Sequence, residues 1–239
     1  MMKKHNLIKI SCWIFSLALL VSCSTLYRYR NSTSTPKWAG EIDNFEKLDT
    51  QESYPNDAIL FVGSSSIRKW TNIKEDMAPY PVIQRGFGGS KLEDLAFYFK
   101  RIVYPHRFRA LVIFSGTNNL TAKPSDSTPK ELESLAKHIR KEIKQKYPNT
   151  PVFWIAITPT NARWKAWPQV QEANRLVQNM CKQTPNFHFI ETASNYLGPD
   201  GLPINNLFIA DQIHMNEDGY HIWAKIIKKE LAAHLKEEK

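Results

Sequence analysis

The sequence predicts an α/β protein in which a parallel sheet of about five strands is covered by helices on both faces. Short apolar runs alternate with stretches whose apolar residues recur at helical spacing, which is typical of strand–helix repeats. Small and polar residues follow most of these runs, as expected where strands turn into loops. With 239 residues, 42% of them hydrophobic, the chain is long enough for one domain with a full core.

The first 22 residues have the composition of an export signal. Lys3, Lys4 and Lys9 give a positively charged start, and an apolar run follows over residues 10–21. This run is shorter than the roughly 20 apolar residues that a transmembrane helix needs. We therefore predict a signal peptide over residues 1–22 and an exported mature protein.

The apolar run ends in Leu20-Val21-Ser22-Cys23, which resembles the lipobox of bacterial lipoproteins. The resemblance implies that Cys23 becomes the lipidated first residue and that residues 23–37 tether the protein to a membrane. The alternative is an ordinary signal peptide with an incidental cysteine. Ser24 stands where an Asp would resemble an inner-membrane retention signal. We therefore expect a lipoprotein of the bacterial cell envelope, at the outer membrane in a host that has one.

The net charge of the remaining domain, residues 38–239, bears on its binding partners, and its cysteine content bears on disulfide bonds. The net charge of +9 falls to +6 once the three lysines of the signal are removed, and the basic residues are mixed with acids. We expect no nucleic-acid partner, because such a partner requires a clustered basic surface. Cys12 would leave with the signal and Cys23 would carry the lipid, so Cys181 is alone. We therefore predict no intramolecular disulfide and a small buried thiol in a helix.

The first element of the domain is a helix predicted over Trp38–Tyr54, where Ile42, Phe45 and Leu48 recur at helical spacing. We expect this helix to pack outside the core. The apolar runs that follow are predicted as strands, because they are short and end in turn residues. These strands are Ala58–Val62, Pro81–Gln84, Ala110–Phe114, Pro151–Ile157 and Phe187–Ile190.

The helices between the strands are predicted from their caps and apolar faces. The segment Ser90-Lys91-Leu92-Glu93 has the form of a capping box and begins a helix that runs to about Val103. Thr128 caps the next helix, which has Pro129 at its first position. Two further helices are predicted over Gln169–Lys182 and from Asn216 to about Lys236.

Four polar motifs lie at the carboxyl ends of predicted strands or just before the last helix, where parallel α/β folds bind ligands. They are Gly63-Ser64-Ser65-Ser66, Gly86–Ser90, Gly116-Thr117-Asn118 and Asp211–His214. In the last motif, the acid can hold one imidazole nitrogen while the other acts as a base toward a serine hydroxyl. The alternative is that Asp211 caps the last helix and His214 lies on the surface.

The glycine and asparagine motifs supply hydrogen-bond donors for an acyl-transfer site. The backbone can approach a substrate closely at Gly88-Gly89 because no side chain obstructs it, and Asn118 offers a side-chain amide. The serine hydroxyl follows a strand directly, near a helix N-terminus whose dipole favours a developing oxyanion. A Ser-His-Asp arrangement with such donors catalyses acyl transfer.

Together the four motifs, in this order over about residues 57–231, resemble the SGNH/GDSL-type hydrolases. These are esterases with a flavodoxin-like, three-layer α/β/α sandwich. The resemblance implies that Ser65 is the nucleophile, that His214 is the base and that Asp211 orients it. No metal or organic cofactor is implied, and the other histidines lack metal-ligand spacing.

The same resemblance implies an oxyanion hole formed by Ser65, Gly89 and Asn118. The sequence departs from the family pattern at Ser64 and Asn119, where the family usually has Asp. Neither is a triad position, but both bear on how the nucleophile turn is braced. Within the run of three serines we assign the nucleophile to Ser65, and we expect its two neighbours to cap the helix or support the turn.

Candidate substrate-binding residues follow the fourth predicted strand. Arg163 is a candidate for holding an acid group, and Trp164 or Trp167 for stacking on a sugar ring. The alternative is that Arg163 pairs with a structural carboxylate and that the two tryptophans pack the loop down.

The function that these observations predict is a serine esterase that removes short acyl groups, acetyl first, from a carbohydrate or related envelope ester. The identity of the substrate rests only on the resemblance and on export. A lysophospholipase or thioesterase is an alternative, although residues 66–89 and 158–168 contain no long apolar lid. Another is a non-catalytic envelope lipoprotein whose serine turn binds a phosphate or carboxylate. The sequence predicts no oligomeric state.

Overall fold

The computed structural model describes residues 35–235, and at its centre is a five-stranded sheet in which all strands are parallel. The predicted signal peptide, Cys23 and the tether up to residue 34 lie outside the described residues. The strands are β1 Ile59–Gly63, β2 Val82–Gly86, β3 Ala110–Phe114, β4 Val152–Ile155 and β5 Phe187–Ile190. The predicted flavodoxin-like three-layer α/β/α sandwich is confirmed.

Seven α-helices lie within residues 35–235 and cover both faces of the sheet. They are α1 Ala39–Gln51, α2 Ser65–Arg68, α3 Ile73–Asp76, α4 Leu92–Val103, α5 Pro129–Lys146, α6 Trp167–Lys182 and α7 Glu217–His234. Helices α1, α4, α5 and α6 pack on one face, and α2, α3 and α7 on the other, so the sheet separates two apolar cores. Across the described range, none of these helices has both the length and the apolar character needed to cross a bilayer.

The strand order opens a crevice at the carboxyl edge of the sheet. The spatial order is β2-β1-β3-β4-β5, so the chain leaves β1 toward one edge and leaves β3 toward the other. Loops that diverge in this way leave a crevice where ligands bind in open parallel sheets. In the strand register, Gly63 at the end of β1 lies between Gly86 of β2 and Phe114 of β3. The residues after Gly63 therefore enter the crevice at its centre.

The helix predicted to start with a capping box at Ser90 begins later and has a different cap. Helix α4 begins after Lys91, whose backbone N–H donates to the Asp94 carboxylate at 2.9 Å. Glu93, which the predicted box assigned to that role, accepts instead from the side chain of Asn119 at 2.6 Å. The capping-box prediction is wrong by one residue, because a contact with a distant loop recruits Glu93.

Two other local predictions are confirmed. The Thr128 hydroxyl accepts from the Glu131 N–H at 3.2 Å, and the Glu131 carboxylate accepts from the Thr128 N–H at 2.7 Å. Cys181 is buried in α6, and this burial raises the pKa of its thiol to about 12. The thiol is therefore kept in its protonated, unreactive form.

Helix α1, expected to pack outside the core, is tied into it at both ends. Ile42 is fully buried, and the largely buried Trp38 donates its indole N–H to Asp94 at 3.2 Å. Farther along α1, Asp49 pairs with the buried guanidinium of Arg85 on β2. These contacts fix α1 behind the loop that follows β2.

Candidate active site

The candidate nucleophile lies on the turn between β1 and α2. The Ser64 N–H donates to the Phe114 carbonyl of β3 at 3.2 Å, which fixes the start of the turn. Ser65 is the first residue of α2, so its backbone N–H has no acceptor within the helix. Because α2 is only four residues long, this N–H group matters more than any helix dipole.

Ser65, His214 and Asp211 form one hydrogen-bonded chain. His214 Nε2 lies 2.8 Å from Ser65 Oγ, and His214 Nδ1 lies 2.6 Å from Asp211 Oδ2. A carboxylate can only accept, so we assign the ring proton to Nδ1. This tautomer leaves the Nε2 lone pair to accept from the serine hydroxyl.

Asp211 is held as a charged acceptor in the loop before α7. Its Oδ1 accepts from the backbone N–H groups of Ile213 and His214, both at 2.9 Å. Burial opposes the charge, but these bonds and the bond from the His214 ring lower the pKa of Asp211 to about 2. The cap of α7 is Asn216, whose side chain accepts from the Gly219 N–H at 3.1 Å. The alternative in which Asp211 caps this helix is therefore wrong.

The two candidate oxyanion donors that follow β2 and β3 lie next to each other. A Cβ on Gly89 would lie 3.8 Å from the Asn118 side-chain nitrogen. That amide donates one N–H to the Ser90 carbonyl at 3.1 Å, which leaves its second N–H available. Since β2 and β3 flank β1, these donors lie on the loops that flank Ser65.

Gly88 is required for packing against α1 rather than for close approach of a substrate. Its φ is +39°, and a Cβ there would lie 1.7 Å from the Trp38 ring. The Gly88 N–H donates to the Glu41 carboxylate at 2.9 Å. Helix α1 thus supports the loop from behind, and Gly89 is the exposed glycine of the pair.

The candidate substrate-binding segment lies against the loop that carries the histidine. Its Ala162 N–H donates to the Gln212 carbonyl at 3.3 Å. Trp164 and Trp167 stack on each other, with ring centroids 5.8 Å apart and planes 16° apart. The Nε of Arg163 is buried with no hydrogen-bond partner among the described residues. Over the same range, no three His, Cys, Asp or Glu side chains are grouped to hold a metal ion.

Lys69 belongs to no sequence motif, and its place beside the triad emerges only in the structure. Its ammonium lies 3.3 Å from His214 Nδ1 and 3.7 Å from Asp211 Oδ2. Lys69 also lines a groove of about 530 Å³ between residues 68–76 and 209–220. This groove therefore adjoins the triad through Lys69, although Ser65 and His214 do not line it.

A family model matches the region that contains these elements. The model of the GDSL-like lipase/acylhydrolase family covers residues 57–222, which include all the candidate triad and oxyanion residues. The chain belongs to the GDSL-like lipase/acylhydrolase family. It is therefore an ester hydrolase, as the four sequence motifs predicted.

Solved structures share the fold of this GDSL-like hydrolase at low sequence identity. A Streptococcus pneumoniae protein, provisionally described as a platelet activating factor, is 18% identical with a TM-score of 0.72, covering 82% of this chain and 94% of its own. A GDSL-like lipase from Bacteroides thetaiotaomicron is 16% identical with a TM-score of 0.66, and the match covers 81% of this chain and 98% of the lipase. A catalytic mutant of an acetylxylan esterase from Geobacillus stearothermophilus is 14% identical with a TM-score of 0.59, and the match covers 78% of this chain and 99% of the esterase. No curated protein sequence matches the chain.

Asn119, which stands where the family usually has Asp, suits its surroundings as an amide. Its Oδ1 accepts from the Leu92 N–H at 2.8 Å, and its Nδ2 donates to the Glu93 carboxylate at 2.6 Å and to Ser127 Oγ at 3.1 Å. An aspartate would keep the first bond but would bring a second, buried negative charge against Glu93. Asn119 therefore ties the loop that contains Asn118 to the start of α4.

The nucleophile turn is braced without the Asp that the family usually has at residue 64. Gln84 on β2 donates to the Ile67 carbonyl at 2.6 Å, and Tyr220 on α7 donates to the Ser66 carbonyl at 2.9 Å. These contacts hold α2 from both neighbouring elements. The one sequence signal for this bracing is Gln84 itself, a polar amide that follows two apolar residues in the middle of β2.

Proposed function

We propose that this hydrolase is a serine esterase in which Ser65 is the nucleophile, His214 the general base and Asp211 the group that orients the imidazole. The observation that carries the proposal is the continuous chain from Ser65 Oγ through both ring nitrogens to Asp211, at 2.8 and 2.6 Å. The serine and the histidine are 149 residues apart in the sequence, so no local structural rule brings them into contact.

In the proposed acylation step, Ser65 Oγ attacks the ester carbonyl carbon while its proton passes to His214 Nε2. The carbonyl electron pair moves onto oxygen, and Asp211 stabilises the imidazolium. Collapse of the intermediate breaks the ester C–O bond, and the departing alcohol takes the proton from Nε2. Water then repeats the sequence on the acyl-serine, releasing the carboxylic acid and restoring the Ser65 hydroxyl.

The proposed oxyanion hole consists of the Ser65 N–H, the Gly89 N–H and the Asn118 side-chain N–H. The helix-terminal position of Ser65 and the adjacency of Gly89 and Asn118 support this assignment. A donor of this kind typically contributes about 10²–10³-fold to kcat, because its bond strengthens as charge develops on the oxygen.

The proposed substrate carries a short acyl group, acetyl first, on a carbohydrate or related ester of the cell envelope. The segment Asn161–Ala166 beside the histidine loop is a single short 3-10 helix and not a long apolar lid. The structural likeness to an acetylxylan esterase supports an acetyl ester, and the predicted export with an anchor at Cys23 supports an envelope location. Arg163, Trp164 and Trp167 are proposed to contact the alcohol part of the substrate.

We expect kcat/KM to fall by about tenfold or more from p-nitrophenyl acetate to the octanoate ester, because the segment beside the histidine loop is a short 3-10 helix and offers the extra methylenes no long apolar lid. The measurement is initial rates on the acetate, butyrate and octanoate series, with acetylated xylan and lysophosphatidylcholine as polymer and lipid substrates. A kcat/KM that rises with chain length would favour the lysophospholipase or thioesterase alternative. If the protein hydrolyses none of these esters, the alternative of a non-catalytic envelope lipoprotein that binds a phosphate or carboxylate is favoured.

A further inference from the structure

Lys69 lies one helical turn after the candidate nucleophile and reaches the other two members of the triad. Its backbone N–H donates to the Ser65 carbonyl at 2.8 Å, so the side chains of Ser65 and Lys69 share one face of the turn. The ammonium lies 3.3 Å from His214 Nδ1 and 3.7 Å from Asp211 Oδ2. A lysine at this place is not needed for acyl transfer, so its charge requires an explanation of its own.

The proton on His214 decides which contact Lys69 can make. The 2.6 Å separation of His214 Nδ1 and Asp211 Oδ2 requires a proton between them, so Nδ1 has no lone pair to accept from Lys69. The attractive partner of the ammonium is therefore Asp211 Oδ2. The imidazole of His214 therefore lies beside the Lys69 ammonium without accepting a hydrogen bond from it. Both groups share the Asp211 carboxylate as their negative partner.

We propose that Lys69 is a positioning residue that shares the Asp211 carboxylate with His214 and keeps the imidazole neutral at lower pH than it would otherwise be. This inference rests on the proposed function, in which His214 is the base. Only a neutral imidazole can accept the serine proton, so the positive charge of Lys69 extends activity toward acid. The same charge opposes the imidazolium of the transition state, which lowers the maximal rate.

Other charged or titratable groups lie on the elements around the loop that carries His214. Tyr220 of α7 stays neutral, because burial and then the charge of Asp211 raise the pKa of its phenol. Further charged groups on these elements include Arg68 of α2, Arg163 of the segment against the histidine loop and Glu217 of α7. Among residues 35–235, Asp211 and Lys69 are the charged side chains that contact the His214 ring.

We expect Lys69→Met to move the acid limb of the kcat/KM profile upward by about 0.5–1 pH unit. This is the size of a Coulomb interaction between two charges about 3–5 Å apart in largely aqueous surroundings, and the Lys69 side chain is 39% exposed. The sign follows from the charge: without the ammonium, the imidazole gains a proton more readily as the pH falls. At the alkaline plateau, kcat/KM is expected to stay equal or to rise by a few-fold.

The test is the pH profile of kcat/KM for p-nitrophenyl acetate in the wild type, Lys69→Met, Lys69→Arg and Lys74→Met. Lys69→Arg keeps the charge and is expected to keep the acid limb. Lys74→Met removes an equal charge from an exposed site on α3 and should leave the limb unchanged. The difference between wild type and Lys69→Met should shrink in 1 M salt, where the screening length is about 3 Å.

An acid limb that stays in place, or moves down, in a folded Lys69→Met protein overturns the inference. Should methionine lower the melting temperature, Lys69→Gln gives the same test with a polar side chain. Titration of the His214 ring by NMR follows the same protonation without turnover. If the wild type is inactive but Lys69→Met still shifts the titration of the His214 ring, the result counts against the proposed function and not against the role of Lys69.

Discussion

Ser65→Ala is expected to lower kcat/KM for p-nitrophenyl acetate by roughly 10³-fold or more, because the substitution removes the only atom proposed to bond covalently to the acyl carbon. His214→Ala should lose a similar factor, since the serine then has no base at 2.8 Å. The two losses should not add in the double variant, because both residues act in the same step. Steady-state rates with matched circular dichroism spectra and melting temperatures provide the measurement.

The three-serine run supplies matched controls for this prediction. Ser64→Ala and Ser66→Ala remove the same hydroxyl from neighbouring positions, and neither side chain has a hydrogen bond to His214 in the described structure. Both variants should retain kcat/KM within about tenfold of the wild type. A loss confined to Ser66→Ala or Ser64→Ala, with Ser65→Ala active, would contradict the assignment of the nucleophile.

Gly63→Ala should cost about 4 kcal/mol or more of unfolding free energy, or prevent folding altogether. Gly63 ends β1 with a φ of +147°, and a Cβ there would lie 1.9 Å from the Phe114 carbonyl oxygen. The obstacle is the backbone of the neighbouring strand, which cannot rotate away. The same carbonyl accepts from the Ser64 N–H, so the clash would also displace the nucleophile turn. Urea denaturation followed by tryptophan fluorescence measures the effect.

Gly40→Ala is the matched control for Gly63→Ala. Gly40 lies on the exposed side of α1, and a Cβ there would meet nothing within 4 Å. Alanine should therefore stabilise the protein by about 0.5–1 kcal/mol, because it lowers the entropy of the unfolded chain and favours the helix. If Gly63→Ala and Gly40→Ala are equally stable, the close approach of β1 and β3 at residue 63 does not limit stability as expected.

The sheet could be predicted from sequence because strand signals are local. Ala110–Phe114 and Phe187–Ile190 were predicted with their observed bounds, since each is an apolar run with turn residues on both sides. The strand Pro151–Ile157 was predicted too long. Its last apolar residues, Ala156 and Ile157, are buried but lie beyond the end of β4. Apolarity reports burial, and it does not distinguish a strand from a buried loop.

The site could be predicted only where its residues form short motifs. Asp211 and His214 are three residues apart, so their bond is a local feature of one loop. The contact of Lys69 with His214 spans 145 residues, and that of Asn119 with Glu93 spans 26. Such contacts depend on how distant loops meet at the sheet edge, which periodicity and capping rules do not encode.

Covalent labelling shows directly whether Ser65 is an activated nucleophile. The purified protein would be treated with a fluorophosphonate, digested, and the modified peptide located by mass spectrometry in wild type, Ser65→Ala and His214→Ala. We expect one stoichiometric adduct on Ser65, formed roughly a hundredfold or more slowly in His214→Ala and absent in Ser65→Ala. An adduct on Ser64 or Ser66, or labelling of Ser65 at an unchanged rate without His214, would contradict this expectation.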